Sequence, residues 1–233
     1  LTDLGGLVIS PSVYPKLPFD PSKDFSPVVM VSYSPHVLAA HPAQPFNSVP
    51  ELIAFAKANP GKLNFAVSGI GGAPQLAGIE FAQRTGVNWT YIPYKGGAAA
   101  VTAVVAGQAD VLFNGMLATW PSVTGGKLKP LAISSAQRVP SAQSTPTVAE
   151  NGLPGFETGS FQGVVGAAGI PRETVAKLNA ELTKVLNTAE MKERFAKQGT
   201  EVRTGSPESL GDWMRASQAR WAKVVKESGV KFE

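Results

Sequence analysis

Cysteine is absent from this 233-residue chain. That one absence excludes disulfides, thiolate nucleophiles and cysteine-ligated zinc together. Histidine is nearly absent, with only His36 and His41, each beside a proline and without an acid or nucleophile at a telling spacing. In the strand-like stretch HVLAAH, their separation of five residues sends the two side chains to opposite faces. A shared metal ion is therefore not expected. No G-x-S-x-G elbow occurs, so a serine-hydrolase reading has no motif, and Ser68 as a nucleophile has no evident base. No run of 18 apolar residues is present to form a membrane-spanning helix. A concentrated charge of one sign is lacking too. The 21 Lys and Arg against 17 Asp and Glu leave a net charge of +4, scattered and thickening only in the C-terminal helices. Nucleic-acid binding wants a basic stripe with exposed aromatics, and none is legible. These absences point to a chain with no catalytic cluster, no metal and no cofactor. Its length suits one or two domains.

What is present is glycine in telling places. Residues 63–81 read LNFAVSGIGGAPQLAGIEF: an apolar strand, a knot of glycines, then a helical pattern. A strand delivering into glycines that open a helix offers bare backbone N–H groups and a positive helix end to an anion. The dinucleotide fingerprint fails here because Pro74 stands where its last glycine or alanine belongs. The phosphate loop fails because Gln75 and Leu76 replace its lysine and hydroxyl. A general anion site remains, with Pro74 suited to a first helical turn and Ser68 adding a hydroxyl. The competing reading is a plain strand-to-helix turn whose glycines only permit tight packing.

The same device recurs along the chain. Ser48-Val49-Pro50-Glu51 forms a capping box ahead of a helix ending near Asn59-Pro60-Gly61, and the strand from Leu63 to Val67 follows. After the helix opened by Pro74, Asn88 to Tyr94 alternates like a strand, and Lys95-Gly96-Gly97 precedes an alanine-rich helix ending at Gly107. Asp110 to Asn114 and Leu128 to Ser134 read as further strands. Strands alternating with helices predict an α/β fold with mainly parallel sheets flanked by helices. Ligands in such sheets bind at the carboxyl ends of strands, which groups Ser68–Gly72, Tyr94–Gly97 and Asn114–Gly115 on one rim. From Phe161 an apolar strand leads to two long helices, begun at Pro171 and at Ser206-Pro207. Trp213 and Trp221 keep core spacing on the second. The proline-rich segment Tyr14–Pro21 leads to an apolar strand, Val28–Val31.

The order of these pieces resembles a known family. Tyr14-x-Lys16-Leu17-Pro18-Phe19-Asp20-Pro21, Ser68-Gly69-x-Gly71, Pro93-Tyr94-Lys95-Gly96-Gly97, Gly107-Gln108-x-Asp110 and Pro146-Thr147-Val148-Ala149-Glu150-x-Gly152-Leu153-Pro154-Gly155 are similar to the Bug, or TctC-like, receptors of tripartite tricarboxylate transporters. The resemblance covers essentially the whole chain. It implies a two-domain, type II-like periplasmic-binding-protein fold, a periplasmic location, and a receptor without catalysis that closes on a small organic anion such as a dicarboxylate or aromatic carboxylate. It further implies delivery of that ligand to membrane permease subunits. An enzyme on the same scaffold, and a receptor-derived sensor signalling through a partner protein, are the alternatives. Expected domains are 1–38 with 161–233, and 39–160. Carried over by position, the ligand contacts are Ser68, Gly69, Gly71, Gly72, Ala73, Tyr94, Lys95, Gly96, Gly97, Asn114, Ser160, Phe161 and Gln162. Ala73 and Gln75 depart from the serine and histidine common in the family's glycine loop. Leu1 matches a point inside the family pattern, so the first domain is expected to be incomplete at the N-terminus. In consequence the chain is expected either to self-associate through that domain or to be the ordered remainder of a longer polypeptide.

Overall fold

The structure, a computed structural model, describes residues 1–14 and 16–229. The chain divides into two compact units, Leu1–Ser34 with Ser160–Glu233, and Pro35–Gly159. Among the described residues, no helix is long and apolar enough to cross a membrane.

The first unit contains strand β1 (Thr2–Asp3), helix α1 (Leu4–Val13) and the opening half of the long strand β2 (Phe25–Ala40). Its C-terminal part supplies the remaining elements, starting with strand β7 (Gly159–Ala167) and helix α6 (Arg172–Leu186). Helix α7 (Ala189–Ala196), strand β8 (Glu201–Val202) and helix α8 (Pro207–Ser228) follow. Strand β1 pairs antiparallel with β7, and β8 pairs antiparallel with β2. Val28, Val29 and Val31 pack against Leu186, Val175 and Leu182 of α6 and Met191 and Phe195 of α7. Helix α1, which contains two glycines and Pro11, packs on α8, and Gln218 Nε2 donates to the Leu7 carbonyl at 3.4 Å. As expected from its spacing, Trp221 is buried in this packing, while Trp213 lies against Phe161 with ring centroids 4.6 Å apart.

The second unit alternates strand and helix: α2 (Val49–Ala58), β3 (Asn64–Val67), α3 (Ala73–Thr85), β4 (Thr90–Pro93), α4 (Gly97–Val105), β5 (Val111–Gly115), α5 (Met116–Thr124) and β6 (Lys129–Ile133). Its strands pair in the order β4-β3-β5-β2-β6. Pairing is parallel among β4, β3 and β5, whereas β2 runs antiparallel to β5 and to β6. The sheet is therefore mixed, with its parallel part confined to three neighbouring strands.

The period-2 alternation of these strands builds two cores at once. Leu38, Phe65, Val67, Val111 and Phe113 face α2 and α3, while Val37, Ala39, Ala66, Leu112 and Ile133 face α4 and the start of α5. An aromatic cluster fills the first face. Phe65 lies 4.6 Å from Trp89, Phe81 stacks on Trp89 at 5.6 Å, and Phe113 stacks on Phe156 at 5.7 Å. Gly78 in α3 admits the Phe65 ring, since a Cβ there would stand 2.7 Å from its Cζ. The capping box at α2 is realised with one change of partner. Ser48 Oγ accepts from the Glu51 amide, but Glu51 Oε2 reaches back to the amide of Asn47 rather than that of Ser48.

Candidate functional site

Strands β4, β3 and β5 are parallel neighbours, so the three helices that follow them start along one edge of the sheet. Each start is a glycine turn. After β3, Gly69 (φ 101°) and Gly71 (φ 73°) take backbone conformations that side chains with a Cβ rarely adopt, and Gly72 caps α3. After β4, Gly96 (φ 94°) turns the chain into Gly97 at the head of α4. After β5, Gly115 caps α5.

These three helix starts share a chemical peculiarity. None of α3, α4 and α5 has a side-chain cap hydrogen bond or an acidic residue in its first turn. Elsewhere the positive end is answered: α2, α6, α7 and α8 each carry a glutamate in the first turn, and Ser48, Thr188 and Ser206 cap three of them. Among the described residues, only on this edge do several helix dipoles stand uncompensated side by side.

Within the loop after β3, the amides are not all alike. The Gly71 N–H donates to the side-chain Oε1 of Gln75 at 2.6 Å, a buried bond that folds the loop onto its own helix. The amides of Gly69, Ile70 and Ala73 have no partner among the described residues. Ser68 is half-buried beside them. Gln75, noted in the sequence only for failing the phosphate-loop and family patterns, thus organises the loop.

Asn114 is buried at the end of β5, donating through Nδ2 to Thr119 Oγ1 at 3.1 Å and to the Gly97 carbonyl at 3.4 Å. It ties the β5 end to the start of α4. A Cβ on Gly97 would stand 2.9 Å from Asn114 Oδ1, which is why a glycine sits there. Tyr94 is half-buried, and Lys95 and Gly96 are exposed. The structure thus brings the expected residues of 68–73, 94–97 and 114 onto one rim of this unit.

Ser160, Phe161 and Gln162 belong to the other unit, on β7. There the Phe161 ring lies 4.7 Å from Tyr33 and 4.6 Å from Trp213, and Arg203 stacks over Tyr33 at 4.2 Å. Gln162 Nε2 donates to Asp3 Oδ2 at 3.1 Å, and burial raises the Asp3 carboxyl despite hydrogen bonds from Gly5, Gly6 and Gln162.

His36 stands opposite Gly115 in the sheet, with its side chain turned to Thr158. His36 is fully buried, its backbone N–H donating to Ser134 Oγ at 2.8 Å and its carbonyl accepting from Ser134 N at 2.9 Å. Ser134 Oγ in turn donates to the Thr158 carbonyl at 2.5 Å, and His36 Nδ1 meets Thr158 Oγ1 at 3.1 Å. Burial pushes the imidazole pKa down to about 3, and Nε2 has no hydrogen-bond partner among the described residues. This is a neutral structural pin that joins three segments, invisible to spacing because its members lie 98 and 24 residues apart. Among the described residues, no group of three or more His, Asp or Glu is placed to hold a metal ion.

The family model described as "Tripartite tricarboxylate transporter family receptor" matches residues 4–230. The chain is 34% identical over 223 residues to the "UPF0065 protein in tcbD-tcbE intergenic region" of Pseudomonas sp. (strain P51), covering 95% of this chain and 66% of that protein. It is 32% identical over 227 residues to "Protein BugT" of Bordetella pertussis, covering 97% of this chain and 70% of that protein. Among solved structures, "R. palustris Rpa4515 with adipate" superimposes with a TM-score of 0.88 at 32% identity, over 99% of this chain and 77% of that one.

Proposed function

The chain belongs to the tripartite tricarboxylate transporter receptor family, and on that premise we propose that it is a periplasmic receptor for small organic carboxylates which hands its ligand to membrane permease subunits without transforming it. The observation that carries the reading is the edge where α3, α4 and α5 begin without caps or acidic residues. A carboxylate placed there takes hydrogen bonds from the open amides of the Ser68–Ala73 loop and is attracted by the adjoining helix ends. Each charge-assisted bond contributes about 1.5–3 kcal/mol. Ser68 supplies a hydroxyl, Lys95 a cation, and Asn114 holds Gly97 where its backbone meets the ligand. The adipate held by the structural neighbour supports the choice of ligand class. The family's role as a transporter receptor supports a membrane permease as partner and a periplasmic setting.

A thermal-shift screen over dicarboxylates, aromatic acids and amino acids tests the reading. A ligand that binds only the folded state raises the melting midpoint, by an amount corresponding to about 2.7 kcal/mol at a hundredfold excess over Kd. Failure of every carboxylate to move the midpoint of a folded sample refutes it.

A further inference from the structure

The unit that carries the rim is economical with exposed hydrophobic side chains. Among its described residues, two large ones are exposed: Ile70 at 47% and Leu117 at 62%. Both stand on the rim. Ile70 is the tip of the glycine loop after β3, and Leu117 is the second residue of α5. Strands β3 and β5 are hydrogen-bonded neighbours, in register at Phe65 with Val111 and Ala66 with Leu112, so the loops that follow them are neighbours too. Two apolar side chains therefore flank the amides of Gly69, Ile70 and Ala73, which have no partner among the described residues, while α2, α3 and α4 pack their large apolar residues in the cores.

The polar groups of the rim are few. In 68–72, 94–97 and 114–117 the side chains able to hydrogen-bond are Ser68, Tyr94, Lys95 and Asn114, and Asn114 is turned to Thr119 and Gly97. Lys95 is the one cation of those segments, and no arginine stands there to grip a second carboxylate in two-pronged fashion.

We propose that Ile70 and Leu117 determine specificity, selecting carboxylates with a hydrocarbon body, alkyl or aryl, over short or hydroxylated ones. The inference rests on the carboxylate reading given above. The carboxylate end satisfies the amides, and the body covers Ile70 and Leu117, removing apolar surface from water on both partners. A hydroxylated body gains nothing against these side chains and leaves its hydroxyls short of partners.

The test is calorimetric titration of the whole chain with butanoate, hexanoate, adipate, benzoate and tartrate. Affinity is expected to rise two- to fourfold per methylene from butanoate to hexanoate, a fourfold step being the ~0.8 kcal/mol of one buried methylene. Benzoate is expected to bind at least tenfold tighter than tartrate, and a benzoate preference without an alkyl ladder would mark the body as aryl. Ile70→Ser and Leu117→Ser should each flatten the ladder and narrow the benzoate-to-tartrate ratio. Leu178→Ser, an exposed apolar side chain on α6, should alter neither. Melting curves confirm that all three variants fold, as expected for exposed positions. Carboxylate binding indifferent to the body, or ladders unchanged in the two rim variants, overturns this inference and leaves the receptor reading standing. Absence of binding by all five probes overturns both.

Discussion

The buried His36 gives a prediction whose size can be worked out in advance. In the folded protein burial holds its pKa at about 3, against an ordinary value of 6.5. Between those two pH values the unfolded chain carries a proton on this imidazole that the folded protein does not. Stability is therefore full above pH 6.5 and falls as pH drops toward 3, with a slope of about 1.4 kcal/mol per pH unit from this group alone. At pH 4.5, two units below the ordinary value, the loss is about 3 kcal/mol. Substituting His36→Gln removes the titration while retaining an amide that can bond Thr158 Oγ1. At pH 7 the variant should be the less stable protein, because His36 is packed and bonded to Thr158. As pH falls the gap should close at ~1.4 kcal/mol per unit, since every other titrating group is common to both proteins. Urea unfolding at pH 7, 6, 5 and 4.5, followed by tryptophan fluorescence, measures both slopes. Parallel pH dependences for the two proteins would show that this imidazole is not held neutral by burial.

Three further outcomes are expected. Gly78→Ala places a Cβ 2.7 Å from the Phe65 ring, and overpacking should cost about 1–3 kcal/mol in urea unfolding; a change below ~0.5 kcal/mol would show that the aromatic cluster yields freely. Gly71→Val forces a β-branched residue to φ 73°, which should cost about 1–2 kcal/mol of stability and weaken carboxylate binding at least tenfold by calorimetry. Retained wild-type affinity in that variant would reduce the loop to a turn. Gln75→Leu leaves the buried Gly71 donor without its partner, so the melting midpoint should drop by the equivalent of about 1–3 kcal/mol. An unchanged midpoint would mean that another acceptor replaces Gln75.

How far the sequence reached can be judged element by element. Alternating and 3.6-residue patterns located the helices at Val49–Ala58, Ala73–Thr85 and Gly97–Val105 and the strands between them, because each pattern states a requirement that burial imposes locally. It missed α1, α5 and α7 for physical reasons. Helix α1 contains two glycines and Pro11, and α5 contains Pro121, so propensity argues against both and packing overrides it. Helix α7 is only eight residues long and none of its residues is fully buried, Met191 and Phe195 being only partly covered. The strand expected at Val28–Val31 runs from Phe25 to Ala40, across two prolines that usually interrupt a sheet.

The rim residues 68–73, 94–97 and 114 were legible because glycines after strands are a local signal, readable without knowing what lies opposite. The receptor family was legible for the same reason, being carried by motifs of four to ten consecutive residues, and the α/β class by the alternation of strand and helix patterns. What only the tertiary structure decided depends on partners distant in the chain. That Gln75 takes the Gly71 amide, that Asn114 fits against a glycine 17 residues earlier, and that Ser134 holds His36 and Thr158 are matters of which segments meet in space. So is the mixed character of the sheet, since the direction of β2 beside β5 is set by how the chain re-enters and not by the strand's own pattern. Composition and periodicity act through burial and backbone conformation, which are local. The hydrogen bonds of buried polar side chains are settled only when the fold closes around them.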